Sequence, residues 1–212
     1  MKVFALIVLG PTAVLAANWS SYPDKHNCPD ITNSMECARF IEGKLDAPYI
    51  RRISPTVLVV TLADGGTLEL RDNLGEAAGT YISALEAVLE DRYVVLHIQH
   101  YEGSSYRLLD RSSGRPIDVP GYPLFSPDGT WMVAANADLD AGYTPNALRL
   151  YRNRDGALEV ILDAAPRQWG PMEVRWESPT KLTFVRATFE CYFQKTSKCE
   201  TVTLTQKGDT WE

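Results

Sequence analysis

FSPDGTWMVAAN, residues 125–136, combines a tight turn with an apolar strand. Pro127 fixes its own φ, and Gly129 tolerates a left-handed backbone. Ser126 and Asp128 have short polar side chains that bind nearby backbone amides. The residues that follow, WMVAA, are apolar and suit a strand buried on a sheet. The stretch therefore predicts a turn that leads directly into a β-strand.

Two shorter echoes, ISPTVLVVTL (53–62) and ESPTKLTFVRA (177–187), also place Ser-Pro before an apolar run. The segment at Glu90 also precedes a predicted strand. Repeating units therefore begin near Ser54, Glu90, Ser126 and Ser178, about 36, 36 and 52 residues apart. Antiparallel units of about 40 residues are typical of propeller blades. We expect each Ser-Pro turn to lead from the outer strand of one blade to the inner strand of the next.

Alternation of apolar and polar residues begins after Pro48, with turn sequences such as Asp64-Gly65-Gly66 between the strands. Residues 79–83 are predicted to form the outer strand of the first unit, and CYFQKTSKC (191–199) a hairpin that turns near Lys195. The predicted fold class is all-β, a small β-propeller or propeller-like meander of about four blades. A β-sandwich is the alternative.

One short helix is predicted near the N-terminus, because SMECARFIEG (34–43) has apolar residues at helical spacing and ends in glycine. The predicted organisation is a signal peptide at 1–16, a disulfide-pinned leader and helix at 17–47, and the β domain at 48–212.

The N-terminus has the layout of a cleaved secretory signal, namely Lys2, an apolar run at 3–9 and small residues before Ala17. The run is shorter than the about 20 residues that a membrane-spanning helix needs. No later stretch is long and apolar enough to span a membrane. We therefore expect a periplasmic or secreted protein.

The four cysteines form an even set in a chain predicted to be exported, which favours two disulfides. Proximity in sequence favours Cys28–Cys37 and Cys191–Cys199 among the three possible pairings. Zinc sites use closely spaced pairs such as C-x₂-C, and the chain contains none.

The net charge of −6 comes from 21 basic and 27 acidic residues, which are spread along the chain. Nucleic-acid binding needs clustered Lys and Arg for phosphate contacts. The sequence therefore predicts no nucleic-acid partner.

A family resemblance is carried by FSPDGTWMVAA, which resembles the strand-opening motif of WD40-like repeats in TolB-type periplasmic propellers. The segments YEGSSYRLLDRSSGRPIDVPGYPLFSPDG (101–129) and ADLDAGYTPNALRLYR (137–152) are similar to a group of exported bacterial proteins that have no assigned activity. The resemblance covers about residues 80–155. It implies a fold and a compartment, and it implies no chemistry.

An acidic loop offers the clearest candidate for metal binding, since Asn136, Asp138 and Asp140 alternate before a glycine. Calcium prefers several oxygen ligands from one loop. An EF-hand would have glycine directly after the third ligand and glutamate at position twelve, where Ala141 and Ala147 stand. We expect no cofactor, with a looser calcium loop as the alternative.

Catalytic motifs are lacking, because the chain has no G-x-S-x-G elbow and its cysteines are predicted to be oxidised. We therefore expect a non-catalytic binding or scaffold module that presents loops to a protein, peptide or glycan. The alternatives are a carboxylate-dependent hydrolase and a calcium-stabilised structural domain. The predicted ligand-binding residues are Glu102, Tyr106, Asp138, Asp140, Tyr143 and Trp169.

Overall fold

The computed structural model describes residues 34–75, 81–89, 91–100 and 103–212. The predicted signal peptide and Cys28 lie outside the described residues. Within the described part of the chain, no helix is long and apolar enough to cross a membrane.

The chain is all-β, as predicted, with four antiparallel sheets that each follow chain order. The first sheet contains β1 (Ile50–Ser54), β2 (Val57–Thr61) and β3 (Thr67–Arg71). The second contains β4 (Tyr81–Leu89), β5 (Tyr93–His100), β6 (Ser104–Asp110) and β7 (Arg115–Val119). The third contains β8 (Leu124–Phe125), β9 (Trp131–Asn136), β10 (Ala147–Arg154) and β11 (Ala157–Ala164). The fourth contains β12 (Gly170–Ser178), β13 (Lys181–Ala187), β14 (Glu200–Lys207) and β15 (Thr210–Trp211).

The predicted helix is present as α1, Ser34–Glu42, and Gly43 follows it directly. The Glu42 carboxylate accepts a hydrogen bond from Arg52 of β1 at 2.7 Å and one from the backbone N–H of Leu85 in β4 at 2.8 Å. The helix therefore joins the first sheet to the second.

Consecutive sheets share hydrophobic cores. Leu58 of the first sheet packs in one cluster with Val94 of the second. Tyr93 of the second sheet stacks on Phe125 of the third, with ring centroids 5.4 Å apart. Val133 of the third packs in one cluster with Leu182 of the fourth.

The succession of sheets does not close into a propeller ring in the part of the chain that is described. No hydrophobic cluster and no strand pairing there connects the fourth sheet to the first. The blade-like meander was predicted, and four separate sheets are present rather than the two of a β-sandwich.

The predicted position of the Ser-Pro turns is wrong by one strand. Ser54-Pro55 joins β1 to β2, the turn after Ser126 joins β8 to β9, and the turn after Ser178 joins β12 to β13. Each Ser-Pro turn therefore lies within a sheet rather than between two blades. The local chemistry is as predicted, since the Ser126 hydroxyl accepts the N–H of Trp131 at 3.0 Å.

The first Ser-Pro turn also lies at the opposite end of the sheets from the other two. The N–H of Ala63, in the turn between β2 and β3, bonds the carbonyl of Arg111 in the turn between β6 and β7. The turn between β2 and β3 therefore lies at the same end as the turn between β6 and β7, and β2 runs in the same direction as β6. Because Ser54 lies at the other end of β2, its turn is not the structural equivalent of the later two.

The segment predicted as the outer strand of the first unit belongs to the second sheet. β4 covers Tyr81–Leu89 and pairs with β5, with Ala84 opposite His97. Ala84 is fully buried, so sheet packing overrides the helical propensity of ISALEAVLE.

The predicted Cys191–Cys199 disulfide is present, with Cα atoms 5.2 Å apart. Cys37 is also disulfide-bonded. The hairpin predicted between Cys191 and Cys199 is wrong, because Glu190–Gln194 forms a π-helical turn. Thr188 starts this turn by accepting the N–H groups of Cys191 and Tyr192, and Lys195 ends it with a φ of 57°.

Candidate functional site

Several connections gather at one end of the second, third and fourth sheets, which we call the loop end. A Cβ added to Gly103, between β5 and β6, would lie 3.1 Å from Thr144, between β9 and β10. One added to Gly170, at the start of β12, would lie 2.6 Å from the Cβ of Ala137. Glycine at both positions allows the connections to approach each other closely.

Asp138 organises the β9–β10 loop from within. Its carboxylate accepts backbone N–H bonds from Ala141 at 3.1 Å, from Gly142 at 2.8 Å and from Thr144 at 3.0 Å. Its own N–H donates to Asn146 Oδ1 at 2.7 Å. These bonds fold the loop back on itself.

The same bonds determine the charge state of Asp138. The Thr144 N–H, followed by those of the neighbouring residues, lowers the pKa of the carboxyl below its ordinary value. The group is therefore ionised at neutral pH, and its oxygens are engaged with its own loop. Such a carboxylate is poorly suited to donate a proton in the predicted hydrolase alternative.

The side chain of Asp140, in the same loop, is exposed. The amide of Asn136 donates to Thr144 Oγ1 at 2.9 Å and to the Pro145 carbonyl at 3.0 Å. In the described ranges, no three His, Cys, Asp or Glu side chains are grouped so that they could hold a metal ion. The calcium loop stays a prediction.

Glu102 lies outside the described residues. The three aromatic candidates, Tyr106, Tyr143 and Trp169, lie within them. Tyr143 is 59% exposed at the loop end. Tyr106 is partly buried, stacks on His97 at 5.2 Å and meets the edge of Tyr122 at 5.7 Å. Tyr106 therefore packs against the core between the second and third sheets.

Trp169 lies in the connection to the fourth sheet and is half-buried. Its ring stacks on Phe184 at 6.0 Å, and the guanidinium of Arg186 lies over it at 5.2 Å. One face thus contributes to the core between the third and fourth sheets. Tyr106 and Trp169 both pack against hydrophobic clusters, and their role in ligand binding stays a prediction.

A cleft of about 380 Å³ opens between the third and fourth sheets, a position that the sequence did not indicate. Its wall is mostly apolar and contains one carboxylate among the described residues, that of the exposed Glu173. The lining residues are Tyr122, Leu124, Val133, Ala135, Pro171, Glu173 and Val174. The volume falls at the lower end of the range for small-molecule sites.

Glu173 has a left-handed backbone inside a strand, with a φ of 51°. It lies where the register of β12 and β13 shifts between Met172 and Arg175. The other non-glycine residues with positive φ in the described chain, Asp91, Asp155 and Lys195, occupy turns or the end of the π-helical turn. For a side chain like glutamate this conformation costs about 1 kcal/mol, and such strain is often found at functional positions.

The second feature missed by sequence analysis is an aromatic turn, residues 188–199, closed by the Cys191–Cys199 disulfide. Phe189 and Phe193 are 39% and 47% exposed, and their ring centroids lie 5.2 Å apart. Tyr192 meets Phe193 edge-on at 5.1 Å. Their spacing of four residues brings the two phenylalanines together only if the segment is helical.

A comparison with known protein families, curated proteins and solved structures finds no match.

The loop end therefore offers two separate surfaces. The aromatic turn is an exposed apolar protrusion, which suits contact with a macromolecule. The cleft is a concave apolar site with one carboxylate at its wall, which suits a small ligand.

Proposed function

We propose that the protein is an exported, non-catalytic binding module that docks on another protein through its aromatic turn. The observation that carries the proposal is the pair of exposed phenylalanines, Phe189 and Phe193, side by side on a disulfide-closed loop. Export is supported by the predicted signal peptide, by the disulfide and by the resemblance to exported proteins.

The energetics favour a docking role for this turn. Exposed phenylalanines gain free energy when a partner covers them, and aromatic residues commonly anchor protein interfaces. The disulfide limits the conformations of the loop before binding. Binding therefore costs little conformational entropy in the loop.

The charges around the turn indicate the chemistry of the partner. The turn carries two exposed lysines, Lys195 and Lys198, and one exposed acidic residue, Glu190. The Lys195 ammonium lies 4.7 Å from the centre of the Tyr192 ring. These cations stand out on a chain whose net charge is −6. We expect a partner surface with an apolar groove and an acidic rim.

The test uses the chain from residue 17 as bait for extracytoplasmic proteins of the source organism. A double variant carries Phe189→Ser and Phe193→Ser. Phe40→Ser is the matched control, because Phe40 is 38% exposed on α1, away from the turn. We expect a protein that binds the wild type and the control and is lost with the double variant.

The captured protein is then purified and titrated against each bait. We expect the double variant to weaken its binding by about 30-fold or more, as for interface anchors. Equal binding to all three baits would contradict the proposal, as would capture of no protein. N-terminal sequencing of the chain from fractionated cells tests export separately, with Ala17 or Asn18 expected as the first residue.

A further inference from the structure

We infer that the cleft between the third and fourth sheets binds a small molecule with a compact apolar body and one protonated amine. This inference is independent of the aromatic turn, because it concerns different residues and a different class of ligand.

The shape and lining of the cleft indicate the apolar body. Leu124, Ala135 and Val174 are half-buried and present apolar surface in the cleft, and the buried Val133 and Tyr122 lie behind them. A volume of about 380 Å³ has room for a single aromatic ring and a short chain. Covering such a wall with an apolar group removes both surfaces from water.

The single charge in the wall indicates the amine. Glu173 is the one acidic residue among the described lining residues, and none of them is basic. Its side chain forms no hydrogen bond or ion pair with another described residue. A ligand cation would meet a carboxylate that no basic residue of the cleft already neutralises.

The backbone at Glu173 supports a role beyond packing. A left-handed φ of 51° inside β12 is unfavourable for glutamate, and glycine or asparagine would relieve it. No hydrogen bond or ion pair of the Glu173 side chain with a described residue compensates for this strain. A binding role explains why a carboxylate occupies a position that suits glycine.

The cleft is also held in place independently of a ligand. A Cβ added to Gly121 would lie 1.8 Å from the Ala135 carbonyl oxygen, so the connection before β8 packs directly on β9. The Trp176 indole N–H donates to the Leu124 carbonyl at 2.9 Å. These contacts fix both walls, and a ligand therefore meets a largely formed site.

The experiment measures the dissociation constants of three probes by calorimetric titration. The probes are 2-phenylethylammonium, the neutral 2-phenylethanol and the anionic phenylacetate. We expect the ammonium probe to bind most tightly and phenylacetate least tightly. Failure of the ammonium probe to bind in a saturable manner would overturn the inference.

Glu173→Gln tests the carboxylate, and Glu159→Gln is the matched control on exposed β11, outside the cleft. We expect Glu173→Gln to weaken ammonium binding by about two- to fivefold, because Glu173 is exposed to solvent, and to leave 2-phenylethanol binding unchanged. The control should change neither. Equal loss with both variants, or no loss with Glu173→Gln, would overturn the inference.

Further variants test the position of the bound probe and the backbone strain at Glu173 separately. Ala135→Leu fills the cleft and should abolish binding of all three probes while the protein remains folded by circular dichroism. Glu173→Gly should unfold at a higher temperature than Glu173→Ala, the reverse of the order in an ordinary strand. If Glu173→Ala unfolds at the higher temperature instead, the backbone strain on which the inference rests is absent. If ammonium binding to Ala135→Leu is undiminished, the probe binds outside the cleft.

Discussion

At the scale of single residues, Asp138 has the most clearly defined role. We expect Asp138→Asn to lower the free energy of unfolding by about 1 kcal/mol at pH 7, because the amide cannot replace an ionised acceptor of three backbone N–H bonds. The value is modest because the loop is partly exposed to solvent. Chemical denaturation of the two proteins measures the difference.

The pH dependence of this loss follows from the lowered pKa of Asp138. The unfolded carboxyl has a pKa near 3.9, so its stabilising contribution is complete above that pH. The contribution disappears as the pH falls through the lower pKa of the folded state. Asp140→Asn is the matched control, since Asp140 is exposed in the same loop. An equal loss with both variants would contradict the assigned role.

Sequence analysis found some residues of the candidate site and missed others. The sequence pointed to the β9–β10 loop, because alternate polar residues are visible in it. Glu173 carried no signal, because a left-handed residue in a strand arises from the register shift with β13 and not from local composition. The cleft depends on residues from β8, β9 and β12, which only tertiary packing brings together.

At the scale of elements, the connection between the second and third sheets depends on Gly121. We expect Gly121→Ala to lower the free energy of unfolding by about 3 kcal/mol, because its Cβ would lie 1.8 Å from a backbone oxygen of β9. Gly43→Ala is the control, since its Cβ would lie 3.6 Å from the nearest atom. Thermal and urea denaturation compare the two. A small effect of Gly121→Ala would show that the connection can move away from β9.

The disulfide-closed turn gives a second prediction at this scale. We expect Cys191→Ser combined with Cys199→Ser to lower the free energy of unfolding by roughly 2–3 kcal/mol, since the closed loop is short. The exposed phenylalanines should also lose their fixed arrangement. Denaturation measures the first effect, and proteolysis within residues 188–199 measures the second. A variant as stable and as resistant as the wild type would contradict this role.

Elements also show which sequence patterns were informative. Turn sequences and alternation predicted the strands, and apolar spacing with Gly43 predicted α1. The aromatic turn was predicted as a hairpin because the disulfide fits both arrangements. The Ser-Pro turns were assigned to the wrong connection, because a turn before a strand has the same local sequence whether it joins two strands of one sheet or two sheets.

At the scale of the whole molecule, the two middle sheets differ from the outer ones. β5 contributes to two hydrophobic clusters, with Tyr93 and Val95 in one and Val94 and Leu96 in the other. The first and fourth sheets each contribute to one cluster in the described chain. Sequence alone could not distinguish this succession from a closed ring, because closure depends on contacts between distant sheets.

Amide hydrogen exchange tests this succession, with central strands compared across the sheets. We expect β5 and β10 to exchange most slowly, because they lie inside the middle sheets and opening them disrupts the shared cores. β2 and β13 are central in the outer sheets, and we expect them to exchange through smaller openings. Low concentrations of denaturant should leave the exchange of β2 and β13 nearly unchanged and accelerate that of β5 and β10. Equal protection and equal denaturant dependence in all four strands would indicate that the outer sheets are held as firmly as the middle ones, and would contradict an open succession.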